Sequence, residues 1–322
     1  MDTRWIGPHG IGRFAREVQA RGGFLPLNSA GKPLELLDPP RLSRTLSKMG
    51  IGHFFSPGFN APTGRPCAFS FTIHDLIHLE VQSEKSPAKS IYYQLHLLPA
   101  ARRASCIFTG SEFSKNRILE WSHLDTEQVI ITGYGVAENF TPQGNLWLHP
   151  RPYLLYVGNH KPHKNLEGLI KAYRDSRLFR DVDLLLTGNP ERPLRDLVAR
   201  SSIETFVYPL GTVSEQVLPS LYRGALALIM PSFYEGFGLP VVEAMACGTP
   251  VISSRATALE AVGGKAIIPF DPENHEEFVF ALEGARDTAR LKALSLLGLE
   301  HVRQFEWEKV VGRIVGAIDA RS

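Results

Sequence analysis

Two carboxylates that flank a glycine-rich turn are the residues of this chain best suited to bind a polar ligand. They lie in the stretch Glu235-Gly-Phe-Gly-Leu-Pro-Val-Val-Glu243, which Ala-Met-Ala-Cys-Gly248 follows. Pro240 suits the first turn of a helix and Gly248 suits its end, so we expect Glu235 on a loop and Glu243 one turn inside a short helix. Glycines let backbone approach a ligand, and a helix N-terminus presents unpaired N–H groups. Carboxylates for hydroxyls beside amides for phosphate would suit a sugar nucleotide.

A second candidate group follows an apolar stretch that we predict to be a strand at 153–157. It reads Gly158-Asn-His-Lys-Pro-His-Lys-Asn165 and opens a predicted helix. A cation at this point can stabilise a diphosphate leaving group, and Lys164 is the best candidate. His163 is mostly neutral near pH 7, so Lys161 or Arg13 could supply a further positive charge. An ordinary surface charge is an equally good interpretation of Lys161.

The N-terminal part of the chain contributes a glycine turn and a histidine. Gly10-Ile-Gly12-Arg13 precedes an amphipathic helix, where glycines would allow close approach of a phosphate or simply make a turn. Very little sequence precedes this turn, so we expect its first strand to be short or missing. His74 ends a predicted strand, and Asp75 could orient its ring.

Strand-length apolar runs alternate with helical periods along the whole chain, which is typical of parallel α/β folds. We predict strands at 68–73, 106–109, 129–132, 153–157, 183–187, 205–208, 226–229, 250–252 and 265–268. We predict helices at 12–21, 88–104, 112–121, 165–174, 191–200, 214–223, 240–247, 274–286, 289–303 and 306–318.

The length of 322 residues is sufficient for two domains. The stretch 140–152 is interrupted by Pro and Gly and is expected to be a linker. We therefore expect one domain over 1–148, a second over 149–304, and a final helix at about 305–322 that packs back on the first.

Composition excludes several classes of protein. Residues 1–150 carry 15 basic and 12 acidic side chains and the rest carry 20 and 21, so the net charges of +3 and −1 do not favour nucleic acid. No apolar run reaches the roughly 18 residues of a membrane span, and no secretory signal is found. Three scattered cysteines form neither a disulfide framework nor a metal cluster. We expect a cytoplasmic protein.

The pair Asp181 and Asp183 imitates an Asp-x-Asp metal motif. Asp183 leads an apolar strand and would lie at its N-terminal end, which is the wrong end for a ligand. No other group of His, Asp or Glu has metal-ligand spacing, so no metal site is expected.

The order of these motifs resembles the retaining GT-B glycosyltransferases of family 4, from Asp2 to about residue 308. The resemblance implies two Rossmann-like, doubly wound domains that face each other across a cleft. It implies catalytic roles for His74, Glu235 and Lys164, with Glu235 contacting the sugar hydroxyls and Glu243 the ribose diol. The implied donor- and nucleotide-binding residues are Gly10, Gly12, Arg13, Gly158, His163, Lys164, Gly188, Gly236, Phe237, Gly238, Leu239 and Glu243.

The function that this resemblance implies is the retaining transfer of a sugar from a nucleotide-sugar to a hydroxyl of a glycan or lipid-linked oligosaccharide. Bacterial proteins of this kind often use GDP-mannose in surface polysaccharide or lipopolysaccharide assembly, while UDP-glucose, UDP-N-acetylglucosamine and dTDP-rhamnose stay open. No cofactor is expected, and a peripheral contact with the inner membrane face is compatible with such an acceptor. A hydrolase or epimerase on the same fold and a non-catalytic sugar-nucleotide-binding subunit are the alternatives. The role of Glu260, in a segment that usually reads Pro-Glu in this family, stays open.

Overall fold

The computed structural model describes residues 1–7, 10–35, 37–189 and 192–321, which form two compact units. One unit comprises Met1–Gly135 with Phe305–Ser322, and the other comprises Val136–Gln304. The stretch 140–152 belongs to the second unit, where the main-chain N–H of Trp147 donates to the carbonyl of Ser220 over 2.9 Å. His149 likewise reaches the Asp183 carboxylate over 2.8 Å. These bonds explain why the units divide at 135/136, earlier in the chain than the expected 148/149.

The first unit is built on a four-stranded parallel sheet in the order β1-β2-β3-β4. The strands are β1 His53–Ser56, β2 Ala68–Thr72, β3 Cys106–Thr109 and β4 Val129–Ile131. Sequence analysis did not predict β1, which is only four residues long and starts with a histidine. Phe54, Phe69 and Phe71 are essentially inaccessible to solvent. Burial of both faces is the usual condition of a parallel sheet.

The helices of the first unit are α1 Gly10–Arg21, α2 Asp38–Met49, α3 Ile77–Glu80, α4 Pro87–Tyr92, α5 Leu98–Arg103, α6 Glu112–Ser122 and the C-terminal α14 Trp307–Asp319. The predicted helix 88–104 is present, but a π-helical turn at Tyr93–Leu97 divides it into α4 and α5. Helix α2 was not predicted, because its Asp-Pro-Pro start resembles a loop; Pro is nonetheless well tolerated in a first helical turn.

The segment before the glycine turn pairs with the rest of the first unit. Asp2 forms a parallel bridge with Leu27. Its main-chain N–H donates to the carbonyl of Phe55 over 2.9 Å. The Asp2 carboxylate is fully buried and receives the Arg4 guanidinium at 2.7 Å. The short first strand that the sequence suggested is therefore an extended pairing segment beside β1.

Helix α14 packs within the first unit although it comes last in the chain. Trp307 is 1% exposed, and its ring centroid lies 6.0 Å from that of Phe14 on α1. Arg313 donates to the carbonyl of Thr132 over 2.8 Å. The apolar face of this helix therefore completes the core of the unit whose strands lie 170 or more residues earlier in the chain.

The second unit is a six-stranded parallel sheet in the order β10-β9-β8-β5-β6-β7. The strands are β5 Tyr153–Tyr156, β6 Asp183–Thr187, β7 Val207–Gly211, β8 Ala227–Met230, β9 Val251–Ser254 and β10 Ile267–Phe270. The helices are α7 Leu166–Asp175, α8 Arg192–Arg200, α9 Leu218–Gly224, α10 Leu239–Ala246, α11 Leu259–Gly263, α12 His275–Glu283 and α13 Thr288–His301.

The strand order places a topological switch point between β5 and β8. From β5 the chain continues to β6 and β7 on one side, and from β8 it continues to β9 and β10 on the other. Loops that follow two such strands diverge and leave a crevice at their carboxyl ends, where open α/β sheets bind ligands. The segments after β5 and after β8 are the two in which the sequence analysis placed the candidate phosphate- and sugar-binding residues.

Candidate functional site

The switch point brings Lys164 and Glu235 into direct contact. Lys164 ends a 3-10 turn, Pro162–Lys164, that follows β5, and Glu235 lies on the loop after β8. The Lys164 Nζ is 2.6 Å from Glu235 Oε1, and the two side chains are only 14% and 12% exposed. A nearly buried ion pair is held in one geometry more firmly than a surface pair. The site therefore presents one fixed positive and one fixed negative group side by side.

Neighbouring hydroxyls hold the Glu235 side chain and backbone. Ser232 Oγ donates to Glu235 Oε1 over 2.7 Å. The main-chain N–H of Glu235 donates to Thr257 Oγ1, and that hydroxyl donates in turn to the Glu235 carbonyl, both over 2.9 Å. Thr257 has a φ of 56°, an uncommon conformation for a β-branched residue. The sequence analysis did not anticipate Thr257, whose position before α11 carries no motif.

Gly238 fixes the start of α10. Its φ is 97°, and a Cβ at this position would lie 2.5 Å from Leu259 Cδ2. Pro240 occupies the first turn of the helix, as expected. The glycine therefore meets both a conformational and a steric requirement for turning the loop into α10. Gly236, Phe237 and Leu239 belong to the same loop and helix start.

Glu243 lies inside α10 and is 3% exposed. The hydroxyl of Tyr222, on α9, donates to Glu243 Oε2 over 2.9 Å. A buried carboxylate needs such a donor, because an unpaired charge would cost several kcal/mol. Tyr222 thus orients the Glu243 carboxylate, which is almost completely buried and therefore offers a ligand hydroxyl little accessible surface.

Two further loops of the second unit approach each other closely. The N–H of Gly158 donates to Thr187 Oγ1 over 3.1 Å, and His160 Nε2 donates to the Thr187 carbonyl over 2.7 Å. Gly188 has a φ of 82°, and a Cβ there would lie 2.6 Å from the Gly158 carbonyl oxygen. The structure therefore brings the predicted residues Gly158 and Gly188 together at the carboxyl ends of β5 and β6.

The other candidate residues of the loop after β5 differ in their exposure to solvent. His163 is 6% exposed, and its carbonyl accepts a hydrogen bond of 2.8 Å from the N–H of Phe233. Lys161 is exposed, as is Glu260 on α11. The loop after β5 is thus tied directly to the loop after β8 through main-chain atoms.

In the first unit, His74 is held by groups that the sequence analysis did not identify. Its ring is 7% exposed, its Nδ1 is hydrogen-bonded to the Tyr134 hydroxyl, and its Nε2 lies 2.8 Å from the carbonyl of Pro57. The carbonyl can only accept, so Nε2 carries a proton. Burial raises the pKa of Tyr134, which keeps its hydroxyl protonated and able to donate to Nδ1. The Asp75 carboxylate, which was expected to orient the ring, accepts a hydrogen bond from the N–H of Ile77 over 3.1 Å.

The glycine turn of the first unit lies close to this histidine. Phe14, on α1, packs edge-on against His74 with a centroid distance of 5.2 Å and against Tyr134 at 5.5 Å. Gly10, Gly12 and Arg13 form the first turn of the same helix. The structure therefore brings the candidate residues of the first unit to one place.

The hydrogen bond from Tyr134 should stabilise the first unit and fix the His74 tautomer. Replacing Tyr134 by phenylalanine would remove a buried donor at little cost in volume. We expect the free energy of unfolding to fall by about 1–2 kcal/mol, because Nδ1 would be buried without its donor. Denaturant unfolding measures this change, and Tyr173→Phe, which removes a buried hydroxyl in the second unit, is the matched control. Unchanged stability of Tyr134→Phe would contradict the assigned bond.

The aspartate pair is not part of the ligand-binding end of the sheet. Asp183 is the first residue of β6, is 1% exposed, and is bound by His149 at 2.8 Å and Arg151 at 2.9 Å. Within the described ranges, no group of three or more His, Cys, Asp or Glu side chains could hold a metal ion.

Comparisons with known proteins agree with this arrangement. Residues 138–285 match the family model described as Glycosyl transferases group 1. O-antigen chain mannosyltransferase B of Escherichia coli is 29% identical over 299 residues, which cover 88% of this chain and 78% of that protein. MMP alpha-(1->4)-mannosyltransferase of Mycolicibacterium hassiacum is 32% identical over 68% of this chain and 55% of that protein.

Solved structures share the fold at low sequence identity. WaaG, a glycosyltransferase involved in lipopolysaccharide biosynthesis, superposes with a TM-score of 0.75 at 15% identity, over 97% of both chains. Sucrose-phosphate synthase from Thermosynechococcus elongatus superposes with a TM-score of 0.74 at 20% identity, over 92% of this chain and 84% of that chain.

The chain has the GT-B fold, and the family match together with the similar mannosyltransferases identifies it as a glycosyltransferase. Within that class the chain is similar to bacterial mannosyltransferases of O-antigen biosynthesis, and its second unit contains the whole of the glycosyl transferases group 1 region.

Proposed function

We propose that this chain transfers mannose from GDP-mannose, with retention of anomeric configuration, to a hydroxyl of a glycan or lipid-linked oligosaccharide in surface polysaccharide assembly. The observation that carries the proposal is the Lys164–Glu235 pair at the switch point between β5 and β8. A cation can bind the diphosphate of a sugar nucleotide, and a carboxylate fixed beside it can bind hydroxyls of the adjoining sugar. The mannosyltransferase relatives support mannose among the nucleotide-sugars that the sequence left open.

Each group of the second unit has a role in this proposal. Lys164 and the main-chain N–H groups at the start of α10 would stabilise the negative charge that develops on the leaving diphosphate. Glu235 would accept hydrogen bonds from sugar hydroxyls, and Glu243 would accept them from the ribose diol. The bond from the sugar C1 to the diphosphate oxygen breaks while C1 bonds to the acceptor oxygen on the same face. The acceptor proton passes to the leaving phosphate.

The remaining expectations belong to the same proposal. We propose that His74 orients the transferred sugar. Its Nε2 proton is directed at the Pro57 carbonyl, so the ring would have to exchange that acceptor for a sugar hydroxyl when the donor binds. The reaction would need no metal ion, since Lys164 supplies the positive charge that a divalent cation provides elsewhere. The enzyme would work in the cytoplasm, at or near the inner face of the membrane. Within the described residues, no helix is long and apolar enough to cross a membrane.

Thermal unfolding with a panel of nucleotide-sugars tests the donor. A ligand that binds only the folded state adds about 2.7 kcal/mol of stability at a hundred times its Kd. We expect GDP-mannose to raise the unfolding temperature with concentration, in the presence or absence of EDTA. Stabilisation by UDP-glucose or dTDP-rhamnose alone would contradict the donor, and loss of the shift in EDTA would contradict metal independence.

Product analysis separates transfer from the other reactions open to this fold. With GDP-mannose and a mannose-terminated oligosaccharide, we expect an elongated product whose new linkage is α, as in the donor, by proton NMR of the anomeric signals. Free mannose as the sole product would indicate a hydrolase, and an altered sugar nucleotide would indicate an epimerase. Binding without any product would indicate a non-catalytic subunit.

A further inference from the structure

A group of buried charged side chains lies in the first unit. The Arg4 guanidinium is bonded to two carboxylates: it is 2.7 Å from Asp2 Oδ2, and it also pairs with Asp38 at the start of α2. The two carboxylate side chains are 0% and 1% exposed, and that of Arg4 is 5% exposed. We call these three residues the buried charge cluster. Its formal charge is negative, so a protein interior accommodates it only where further donors contact the carboxylates.

The Asn60 side chain supplies such a donor. It is completely buried, and its Nδ2 donates to Asp2 Oδ2 over 2.9 Å and to Asp38 Oδ2 over 3.4 Å. Its Oδ1 accepts from Trp5 Nε1 over 2.6 Å and from the Ser56 hydroxyl. An indole N–H can only donate and a carboxylate can only accept, so these partners determine which way the amide points. All four hydrogen-bonding positions of Asn60 are therefore used in one orientation.

Asn60 ends the turn that follows β1, residues 57–60, which we call the Asn60 turn. The N–H of Gly58 donates to Ser56 Oγ over 3.3 Å, and its carbonyl accepts from the N–H of Thr72 on β2, also over 3.3 Å. A Cβ at Gly58 would lie 2.3 Å from the Trp5 ring, so any larger residue would displace the indole. The turn is therefore held on one side by β2 and on the other by the indole and the amide.

The carbonyl of Pro57, in the middle of the Asn60 turn, is the acceptor for the His74 ring. His74 Nε2 donates to this carbonyl over 2.8 Å. Proline has no N–H with which to fix its own position, so the neighbouring Ser56, Gly58 and Asn60 set the place of the carbonyl. An unbroken chain of hydrogen bonds thus leads from the buried charge cluster to the histidine.

Stability alone does not account for the buried charge cluster. Replacing a buried ion pair by well-packed apolar side chains of similar volume is often neutral or stabilising. What the charges and the amide supply is a single geometry for the turn. Such geometry matters where a group orients a substrate, because a displacement of about 1 Å can lower the rate of a reaction about a hundredfold.

We propose that Asn60 is a positioning residue for sugar transfer. Anchored on the buried charge cluster, it sets the place of the Pro57 carbonyl and, through that carbonyl, the pose and tautomer of the His74 ring. The inference rests on the role of His74 proposed above, which is to orient the transferred sugar. Asn60 itself touches no substrate in this account and acts only through the turn and the ring.

Two substitutions that loosen the turn without touching His74 test the proposal. Asn60→Ala should lower kcat for transfer from GDP-mannose by about tenfold to a hundredfold, with the donor KM within about threefold of the wild type. Ser56→Ala removes one hydroxyl of the same network, is the milder change should Asn60→Ala fail to fold, and should lower kcat by a smaller factor. In a His74→Ala background neither substitution should lower kcat further, because both act through that ring.

Ser122→Ala is the matched control for Ser56→Ala. Ser122 is also completely buried in the first unit. Its hydroxyl donates to the Ile118 carbonyl over 2.6 Å and accepts from the N–H of Leu124 over 3.4 Å. The substitution therefore removes similar hydrogen bonds at the end of α6, outside the Asn60 turn. It should lower the unfolding temperature while kcat stays at the wild-type value.

Heteronuclear NMR of isotope-labelled histidines provides a readout that does not depend on turnover. The His74 signals, assigned by their loss in His74→Ala, should show a protonated Nε2 in the wild type and in Ser122→Ala. They should change in Asn60→Ala and Ser56→Ala. Unchanged His74 signals in both variants would overturn the inference, as would a loss of kcat that persists in full in the His74→Ala background. Wild-type turnover by His74→Ala would instead overturn the role of His74 on which the inference rests.

Discussion

Replacement of Lys164 by methionine should lower kcat for sugar transfer by about a hundredfold to a thousandfold, the usual effect of removing one fixed group that stabilises transition-state charge. The Lys164 side chain is 14% exposed, and its Nζ lies 2.6 Å from Glu235 Oε1. Its loss would remove the positive charge beside the leaving diphosphate and leave the Glu235 carboxylate to repel it. Steady-state kinetics with saturating GDP-mannose and acceptor measures the change.

Lys171→Met is the matched control for this prediction. Lys171 lies on α7, two turns further along, and pairs with Glu167 at 2.7 Å. That pair is exposed, with side chains 48% and 70% accessible, so its removal should cost less than 1 kcal/mol of stability and leave kcat unchanged. Equal effects of the two variants would show that Lys164 acts only through the stability of the protein.

A double-mutant cycle between Lys164 and Glu235 tests whether the two residues act as a unit. Glu235→Gln keeps the shape of the side chain and can still accept from Ser232. Because each residue positions the other, the double variant should be far less impaired than the product of the two single effects. Additive effects would indicate that the ion pair has no part in catalysis.

The strands and helices of the second unit followed well from sequence, because each is a local apolar pattern. The strand predicted at 183–187 matches β6 in every residue, and α10 lies within one residue of its predicted bounds. In the first unit, β1, α2 and the four-residue α3 were missed, and in the second unit the five-residue α11 was missed. Strand β1 is too short for a periodic pattern of apolar residues to be recognised. The prolines at the start of α2 resemble those of a loop. Local pattern therefore identifies regular elements and misses those that tertiary packing stabilises.

The contacts of the candidate site were harder to predict than its residues. Lys164 and Glu235 were each expected to face a ligand, but their mutual contact depends on β5 lying beside β8, which are separated by 70 residues. Strand order is a property of the whole sheet and carries no local signal. Tyr134 was missed for the same reason, since it reaches His74 from a loop 60 residues away. Its position between Gly133 and Gly135, at the carboxyl end of β4, is the signal that could have identified it.

Replacement of Glu243 by alanine should raise the KM for the donor with little change in kcat. The carboxylate is 3% exposed and is oriented by the Tyr222 hydroxyl at 2.9 Å. A hydrogen bond to a charged group contributes about 1.5–3 kcal/mol, which corresponds to an increase in KM of roughly tenfold to 150-fold. A contact with the ribose is equally strong before and during reaction, so its loss should weaken binding and leave turnover unchanged.

Two tyrosine variants separate ligand binding from stability in this last prediction. Tyr222→Phe keeps the Glu243 carboxylate but removes its donor, so the donor KM should rise by a smaller factor than in Glu243→Ala. Tyr153→Phe removes a buried hydroxyl that donates to the Leu221 carbonyl over 2.8 Å, next to Tyr222 but away from the carboxylate. It should lower stability by about 1 kcal/mol without changing the donor KM. If kcat fell in Glu243→Ala while KM stayed constant, Glu243 would act on the reacting centre and the ribose assignment would be wrong.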